Sequence, residues 1–214
     1  MSKKLLLIGG GGHCKTVIEA VESRNDYEDI GIIDVSENVG KQILDCKIIG
    51  TDRELKHFFY EGFKDAFISL GSIGNPNKRI SLYKQIKSLG FYLPVISHFS
   101  ANISQYASVS EGSFAGKNVI INADTTIGKC VILNTGCIIE HDCGIADFAH
   151  IAPGSIISGN VTIGEKTHIG AGSVIRQNTI IGDQTIIGMG SVVVNNVEEN
   201  CVAFGNPCRK VDNN

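Results

Sequence analysis

The sequence predicts an α/β domain with a parallel sheet over residues 1–98, followed by a parallel β-solenoid over residues 99–214. The solenoid is predicted by a repeat, because aliphatic residues recur at every sixth position from Ile103 to Val193 and only Ala115 interrupts the run of Ile, Leu and Val. The α/β domain is predicted by alternating strand and helix patterns in the first hundred residues. The composition agrees with a folded chain, since 43% of the 214 residues are hydrophobic and 19% are charged.

Charge and cysteine usage restrict the partners and the compartment. The formal net charge is −3, so no basic field favours binding to nucleic acid, and no apolar run reaches the length that spans a membrane. The 7 cysteines are odd in number and form no CxxC motif. We therefore expect a reduced, cytoplasmic protein that binds neither nucleic acid nor membrane.

The first domain is predicted to alternate short buried strands with helices. Strands are predicted at residues 4–8, 30–34, 46–50, 66–70 and 93–96, and helices after the first strand, from about residue 52 and over residues 77–89. Thr51 or Asp52 is the expected N-cap of the second helix. This order predicts a parallel sheet covered by helices, which is a Rossmann-like arrangement.

Two glycine loops follow strands of this sheet. Gly11 and Gly12 belong to the run between the first strand and the first helix, where backbone amides favour a phosphate. Asp34 ends the second strand, where an acid can meet a ribose or a base. The loop from Gly71 to Asn75 follows another strand at the same edge. These loops favour a phosphorylated nucleotide over NAD, because only half of a dinucleotide fold is present; a tight turn without a ligand is the alternative.

A six-residue period predicts one short strand and one turn per hexad. Three hexads then close a triangular coil of 18 residues, with each aliphatic residue pointing inward and stacking on its equivalent in the next coil. A glycine often follows the aliphatic residue, as at Gly128 and Gly170, and we expect it at the tight corner. The period by itself indicates a scaffold and no particular chemistry.

Three histidines fall in the solenoid, at His141, His150 and His168. His150 and His168 lie 18 residues apart and are expected to stack on successive coils. Three interpretations compete for such residues: a surface side chain bonded to the local backbone, a metal ligand, and a general base. Their spacing differs from that of zinc-binding solenoids, so no metal is expected.

The segment around His141 favours the general base. Asp142 follows His141 directly, and a carboxylate beside an imidazole can fix its tautomer and raise its basicity. Because neighbouring residues on a strand point oppositely, Asp142 needs a corner or bulge to reach the ring, and Glu140 is the alternative orienting acid. Cys143 is a conceivable nucleophile, although acyl transfer from a thioester needs none.

Five segments together resemble one family, the sugar acyltransferases of the NeuD/PglD type. They are the glycine loop that ends in His13, the segments 134–143, 148–154 and 159–164, and the terminal segment 204–210, in which Cys208 stands where the family usually has Ala. The resemblance covers nearly the whole chain. It implies a left-handed parallel β-helix of hexapeptide repeats for the solenoid, and a homotrimer.

The resemblance also implies roles for residues of the solenoid. His141 matches the general base and Asp142 its orienting acid, which is Glu in PglD-type members. His150 matches a second active-site histidine, and Gly159 matches a backbone amide for the acetyl carbonyl. Both are expected to lie at acetyl-CoA, the implied co-substrate, bound in a groove between neighbouring solenoids.

In the first domain, Gly11, Gly12, His13 and Asp34 match the family's pocket for a sugar nucleotide. The expected function is therefore acetyl-CoA-dependent N-acetylation of a UDP-linked amino sugar. O-acetylation of sialic acid or a related sugar hydroxyl, with CMP as a possible nucleotide, is the first alternative. A non-enzymatic or metal-binding solenoid is the second.

Overall fold

The computed structural model describes residues 3–211, which divide into two compact units. One unit comprises residues 3–71 and 77–99, and the other comprises residues 72–76 and 100–211. Within the described residues, no helix combines the length and the apolar character needed to cross a bilayer.

The first unit is built on a five-stranded sheet with strand order β3-β4-β2-β1-β5. Its strands are β1 (Lys4–Ile8), β2 (Asp29–Ile33), β3 (Gln42–Ile43), β4 (Cys46–Gly50) and β5 (Asp65–Ile68), followed by the two-residue strand β6 (Ile96–Ser97), and its helices are α1 (Gly12–Glu22), α2 (Leu55–Tyr60) and α3 (Asn77–Ser88). Strands β1, β2, β4 and β5 pair in parallel, as predicted. The hairpin strand β3 is the antiparallel edge.

Two local predictions for this unit have different outcomes. Thr51 caps the turn before α2, because its side chain and that of Glu54 form a reciprocal capping box. The strand predicted at residues 93–96 is wrong: Tyr92 makes an isolated bridge to Asp65, and β6 begins only at Ile96. Pro94 lies between them and has no N–H to donate to a ladder.

The second unit is a solenoid of two-residue strands. These are β7 (Asn102–Ile103), β8 (Ser108–Val109), β9 (Phe114–Ala115), β10 (Ile120–Ile121), β11 (Thr126–Ile127), β12 (Ile132–Leu133), β13 (Ile138–Ile139), β14 (Gly144–Ile145), β15 (His150–Ile151), β16 (Ile156–Ile157), β17 (Thr162–Ile163), β18 (His168–Ile169), β19 (Val174–Ile175), β20 (Ile180–Ile181), β21 (Ile186–Ile187) and β22 (Val192–Val193). Each strand pairs in parallel with the strand 18 residues away, for example Ile139 with Ile157. The predicted coil of three hexads is confirmed.

The interior of the solenoid is a continuous aliphatic column. The inward residues from Ile121 to Val193 are almost completely buried and form one cluster. The chain ends in an antiparallel pair, β23 (Val202–Gly205) and β24 (Cys208–Lys210), whose Ala203 continues the buried column next to Ile187. Burial of one aliphatic side chain per hexad therefore holds successive coils in register.

The tight corners are not at the glycines where we expected them. A residue with positive φ lies three positions after each inward residue from Val109 to Ile187, as at Asp142 (φ 60°) and Asn160 (φ 55°). The glycine that directly follows an inward residue serves close packing instead: a β-carbon at Gly128 would lie 2.7 Å from the amide nitrogen of Asp147, and one at Gly170 would lie 2.5 Å from that of Met189. Asp and Asn tolerate the left-handed region because their short polar side chains bond locally.

Candidate active site

His141 and Asp142 form a pair at one corner of the solenoid. We call residues 122–124, 140–142, 158–160 and 176–178, which stack at this corner, the His141 corner. The left-handed conformation of Asp142 turns its carboxylate toward the preceding ring, so that His141 Nδ1 donates to Asp142 Oδ2 over 2.8 Å. The tautomer fixed by this bond leaves the lone pair of Nε2 available to accept a proton.

The surroundings of His141 raise its basicity. The hydrogen bond to Asp142 raises the pKa of His141 above its ordinary value, and the negative charges of Asp142 and Glu140 raise it further. Desolvation of the ring lowers the pKa but is outweighed. Glu140 is not the ring's partner, because its Oε2 accepts from the Asn122 side chain over 3.0 Å. Both His141 and Asp142 are more than half exposed, so the His141 ring is open to a substrate.

Gly159 lies directly against the His141 ring, one coil further along. A β-carbon at Gly159 would lie 2.7 Å from His141 Nε2, so only glycine leaves the ring in place. The amide of Asn160 donates to the His141 carbonyl over 2.9 Å, whereas the Gly159 amide has no acceptor within residues 3–211. A proton acceptor and an unused backbone donor are thereby placed side by side, as acyl transfer requires.

His150 and His168 lie in the wall of the solenoid. They pair in register on β15 and β18, with ring centroids 4.7 Å apart, which confirms the predicted stacking. His150 Nδ1 donates to the Ser72 carbonyl over 2.6 Å, and His150 Nε2 accepts from the Asn134 side chain over 2.7 Å. With both ring nitrogens engaged, His150 offers no lone pair for a proton. Its contact with acetyl-CoA stays a prediction.

The sequence analysis missed Asn134 as a partner of His150. The signal available in the sequence was position, since Asn134 directly follows the inward Leu133 and His150 directly precedes the inward Ile151 one coil later. His168 differs from His150 because its Nδ1 is buried without a hydrogen-bond partner in the described chain, and burial lowers its pKa.

Cys143 does not have the environment of a nucleophile. Its side chain is buried, and burial raises the pKa of the thiol, so that the thiolate is disfavoured. Its Sγ instead donates to the Ser158 carbonyl over 3.1 Å. No cluster of three or more His, Cys, Asp or Glu side chains that would suit a metal ion occurs among residues 3–211.

In the first unit, the glycine loop has two kinds of glycine. Gly9 has a φ of 106°, and a β-carbon there would collide with Leu70; one at Gly10 would lie 2.6 Å from Asp34 Oδ2. Gly11 and Gly12 are exposed and have open space where a side chain would be. Packing therefore explains the first two glycines, and the open space at the next two leaves room for a ligand at the start of α1.

Asp34 lies at the carboxyl end of β2, beside a cleft of about 620 Å³ within this unit. The cleft is lined by Gly9, Asp34, Arg53 and Lys78, among others. Its volume is in the range of small-molecule sites. The Asp34 carboxylate accepts from the Val35 amide and from the Asn38 side chain, which hold it in place at the rim.

The remaining residues predicted to bind the substrate are His13, Gly71 and Asn75. His13 is on α1, where its Nδ1 lies 3.3 Å from Thr16 Oγ1. Gly71 follows β5 at the same edge of the sheet as the first glycine loop, and a β-carbon there would lie 3.6 Å from the His13 Cβ. Asn75 is exposed and belongs to the segment 72–76 of the second unit.

Comparisons with known proteins identify both parts of the chain. Residues 4–86 match the model of the PglD N-terminal domain, and residues 142–177 and 160–195 match the bacterial transferase hexapeptide family (six repeats). These matches cover most of the first unit and the part of the solenoid from residue 142 to residue 195.

Three solved structures resemble the whole chain. The acetyltransferase domain of PglB from Neisseria gonorrhoeae, solved with acetyl coenzyme A, is 33% identical, with a TM-score of 0.92 over 99% of this chain and 100% of that one. A histidine variant of perosamine N-acetyltransferase from Caulobacter crescentus, in complex with CoA and GDP-perosamine, is 30% identical, with a TM-score of 0.92 over 98% and 97% of the two chains. WeeI from Acinetobacter baumannii, 24% identical with a TM-score of 0.86 over 98% and 100%, shares the fold. The chain therefore belongs to the NeuD/PglD-type family of sugar acetyltransferases, and it is an acetyltransferase with a left-handed β-helix.

Proposed function

We propose that this enzyme transfers the acetyl group of acetyl-CoA to the amino group of a UDP-linked amino sugar, with His141 as the general base. The observation that carries the proposal is the geometry of the His141 corner, where an imidazole oriented by Asp142 lies against the amide-bearing Gly159. Membership of an acetyltransferase family excludes the alternative of a non-enzymatic solenoid.

The proposed reaction is a direct transfer. The amine nitrogen attacks the thioester carbonyl carbon while His141 Nε2 takes the amine proton, and the Gly159 N–H donates to the oxygen that becomes negative. The carbon–sulfur bond then breaks, and the CoA sulfur leaves and receives the proton held by His141. No covalent enzyme intermediate is needed, which agrees with the protonated state of the buried Cys143 thiol.

The surface next to Gly159 supports acetyl-CoA as the donor. A shallow groove of about 600 Å³ is lined by Ser158, Val174, Arg176 and Val192, among others, and it begins at the residue before Gly159. Its valine side chains suit the pantetheine chain, and the guanidinium of Arg176 suits a phosphate. Relatives solved with acetyl coenzyme A or CoA give independent support for this donor.

The cleft of the first unit supports a nucleotide-linked acceptor. The Asp34 carboxylate accepts hydrogen bonds, and a ribose hydroxyl or an N–H group of a base can donate to it. The relative from Caulobacter crescentus was solved with GDP-perosamine, so GDP is the nucleotide to test against UDP.

An outward aliphatic column on the solenoid supports a homotrimer. Ile120, Ile138, Ile156, Val174 and Val192 stack on one face, and Ile156 and Val174 are each 37% exposed. A continuous column of partly exposed aliphatic side chains is typical of a protein interface. Sedimentation equilibrium should give three times the mass of the chain, and a monomer would contradict this part of the proposal.

The experiment that tests the function is an acceptor panel. The purified enzyme is incubated with acetyl-CoA and amino sugars linked to UDP, GDP or CMP, and free CoA is followed with a thiol reagent. We expect turnover with the UDP sugar and a product whose acetyl group resists hydroxylamine, because an amide is stable and an ester is cleaved. A cleaved product would indicate O-acetylation, and preference for the GDP or CMP sugar would overturn the proposed nucleotide.

A paired variant tests the nucleotide pocket in the same assay. Asp34→Asn is expected to raise the KM for the nucleotide sugar about tenfold and to leave the KM for acetyl-CoA unchanged, because a charge-assisted hydrogen bond is lost. Asp29→Asn, at the opposite end of the same strand, is the matched control and should leave both constants unchanged. Equal behaviour of the two variants would remove Asp34 from the pocket.

A further inference from the structure

A small side chain stands two positions before each inward residue of the solenoid and is buried from Ser113 onward; we call this the donor position. At five of these positions the hydroxyl of a Ser or Thr donates to a backbone carbonyl 15 residues later, as from Ser155 to Gly170 over 2.9 Å and from Thr167 to Gly182 over 2.7 Å. Thr185 and Ser191 donate to other carbonyls, and the Thr179 hydroxyl has no partner among the described residues. Other coils have Val or Ala there, for example Ala149, which has no donor. These hydrogen bonds hold single peptide units of the next coil.

At the His141 corner, two donor positions act on the peptides of the candidate active site. Thr125 Oγ1 donates to the Glu140 carbonyl over 2.8 Å, and Cys143 Sγ donates to the Ser158 carbonyl over 3.1 Å. Ala107 and Val161 occupy the donor positions of the coils before and after, and neither side chain can donate. The two donors therefore act on the two coils that contain His141 and Gly159.

The hydrogen bond from Cys143 acts on the same peptide unit that carries the proposed oxyanion donor, the Gly159 N–H. The Ser158 carbonyl and the Gly159 N–H belong to the same peptide, which is planar and trans, so their directions are opposed. A thiol that holds the carbonyl toward the coil interior therefore fixes the N–H outward. Gly159 is buried beneath the His141 ring, whereas Gln177, at the same position of the next coil, is exposed.

The thiol is built to remain a donor. Burial raises the pKa of the Cys143 thiol and outweighs the backbone amides of Val161 and Asn160, which act in the opposite direction, so the thiol keeps its proton. A hydrogen bond to the carbonyl also polarises the peptide and strengthens its N–H as a donor.

We propose that Cys143 and Thr125 are positioning residues for acetyl transfer: Cys143 aims the Gly159 amide at the acetyl carbonyl, and Thr125 fixes the peptide that carries His141. This inference rests on the proposed function, since it assigns those two groups to the reaction. Neither side chain touches the reacting atoms.

Steady-state kinetics of four variants test the proposal. Cys143→Ala is expected to lower kcat about tenfold with both KM values within about twofold, because a misdirected amide loses part of the 10²–10³-fold effect of an oxyanion donor. Cys143→Ser is expected to recover at least a third of the wild-type kcat, because serine donates at equivalent positions. Thr125→Val should lower kcat about fivefold, and Thr125→Ser should recover it.

The repeat supplies controls for folding. Alanine already occupies the donor position at Ala149 and valine at Val161, so these substitutions are compatible with the fold. Cys137→Ala is the matched control, since Cys137 is an equally buried thiol at a donor position of another corner. Its kcat should equal that of the wild type, and its melting temperature should fall as much as that of Cys143→Ala.

A spectroscopic measurement separates this inference from the proposed function. The infrared carbonyl band of bound acetyl-CoA labelled with ¹³C at the carbonyl should shift to lower frequency in the wild type and less in Cys143→Ala, with no acceptor present. A wild-type kcat in Cys143→Ala, an equal band shift in both proteins, or a Cys143→Ser variant as slow as Cys143→Ala would overturn the positioning role. Full activity in His141→Ala would instead overturn the proposed function.

Discussion

The His141 corner and the wall that carries His150 and His168 use the same residue type for opposite purposes. At the corner, His141 is 62% exposed, its Nδ1 donates to a carboxylate, and its Nε2 is open. In the wall, His150 and His168 are 8% and 7% exposed, and the two ring nitrogens of His150 are both engaged. The position within the hexad therefore decides whether an imidazole can exchange protons with a substrate.

The physical origin of the difference is backbone conformation. The corner residue at Asp142 adopts positive φ, which turns its side chain back toward the ring that precedes it. On the strands β15 and β18, a side chain next to an inward aliphatic residue points away from the interior and lies in a column with its equivalents in neighbouring coils. Three predictions test this contrast, beginning with the largest effect.

The largest effect is expected for His141→Ala. Loss of the general base should lower kcat by about 10²–10⁴-fold while both KM values change little. The measurement is CoA release under saturating substrates. His57→Ala provides the control, because His57 is exposed on α2 and pairs with Glu61 in the first unit. Wild-type turnover in His141→Ala would mean that the corner is not the site of proton transfer.

An intermediate effect is expected for Asp142→Asn, as a shift of the pH profile. The base acts in its neutral form, so activity rises with pH through its pKa, which Asp142 holds above the ordinary value of about 6.5. Removing the carboxylate charge lowers that pKa, so the acid limb of kcat should move to lower pH while the plateau falls about tenfold. Glu140→Gln should shift the limb less, since Glu140 acts only through its charge. A limb that stays in place would exclude Asp142 as the orienting acid.

The smallest effect is expected for His168→Leu in the wall. A buried nitrogen without a partner is costly, and the neighbouring position on β21 already holds Ile186, so the free energy of unfolding should rise by about 1 kcal/mol. Burial lowers the pKa of His168, so the unfolded state takes up a proton first as pH falls below about 6.5, and the wild type loses stability in that window. Denaturation at fixed protein concentration should show a flatter pH dependence in the variant, at unchanged kcat. A large loss of activity would instead give the wall histidine a chemical role.

The periodic half of the fold was predictable from the sequence because one rule repeats. Burial of an aliphatic side chain every six residues determines the inward positions, and the pairing of residues 18 apart follows. The strands of the α/β unit were predictable where they are buried, as in β1. The prediction failed around Pro94, because proline has no N–H for a strand ladder and this overrides the hydrophobic pattern. The position of the left-handed corner was missed because Asp142 and Asn160 look like ordinary polar loop residues in sequence.

The candidate site was predictable where neighbours in sequence are neighbours in space, as for His141 and Asp142. Sequence alone left Glu140 open as the alternative to Asp142, and the bond from Asn122 to Glu140, across 18 residues, separates the two acids. The contact of Gly159 with the ring also crosses one coil. Spacing predicts which residues stack across a coil, but the atoms that meet there depend on side-chain conformation, which composition and spacing leave undetermined.

The pairing of residues 18 apart has a consequence for length changes in the chain. The direction in which a solenoid side chain faces is determined by its residue number modulo eighteen, because every coil repeats the orientation of the one before. Deleting a whole coil before His141 would leave every later side chain facing as it does now, whereas deleting a single hexad would rotate them all by one third of a turn. Chain length can therefore vary by whole coils without changing which side the His141 ring faces.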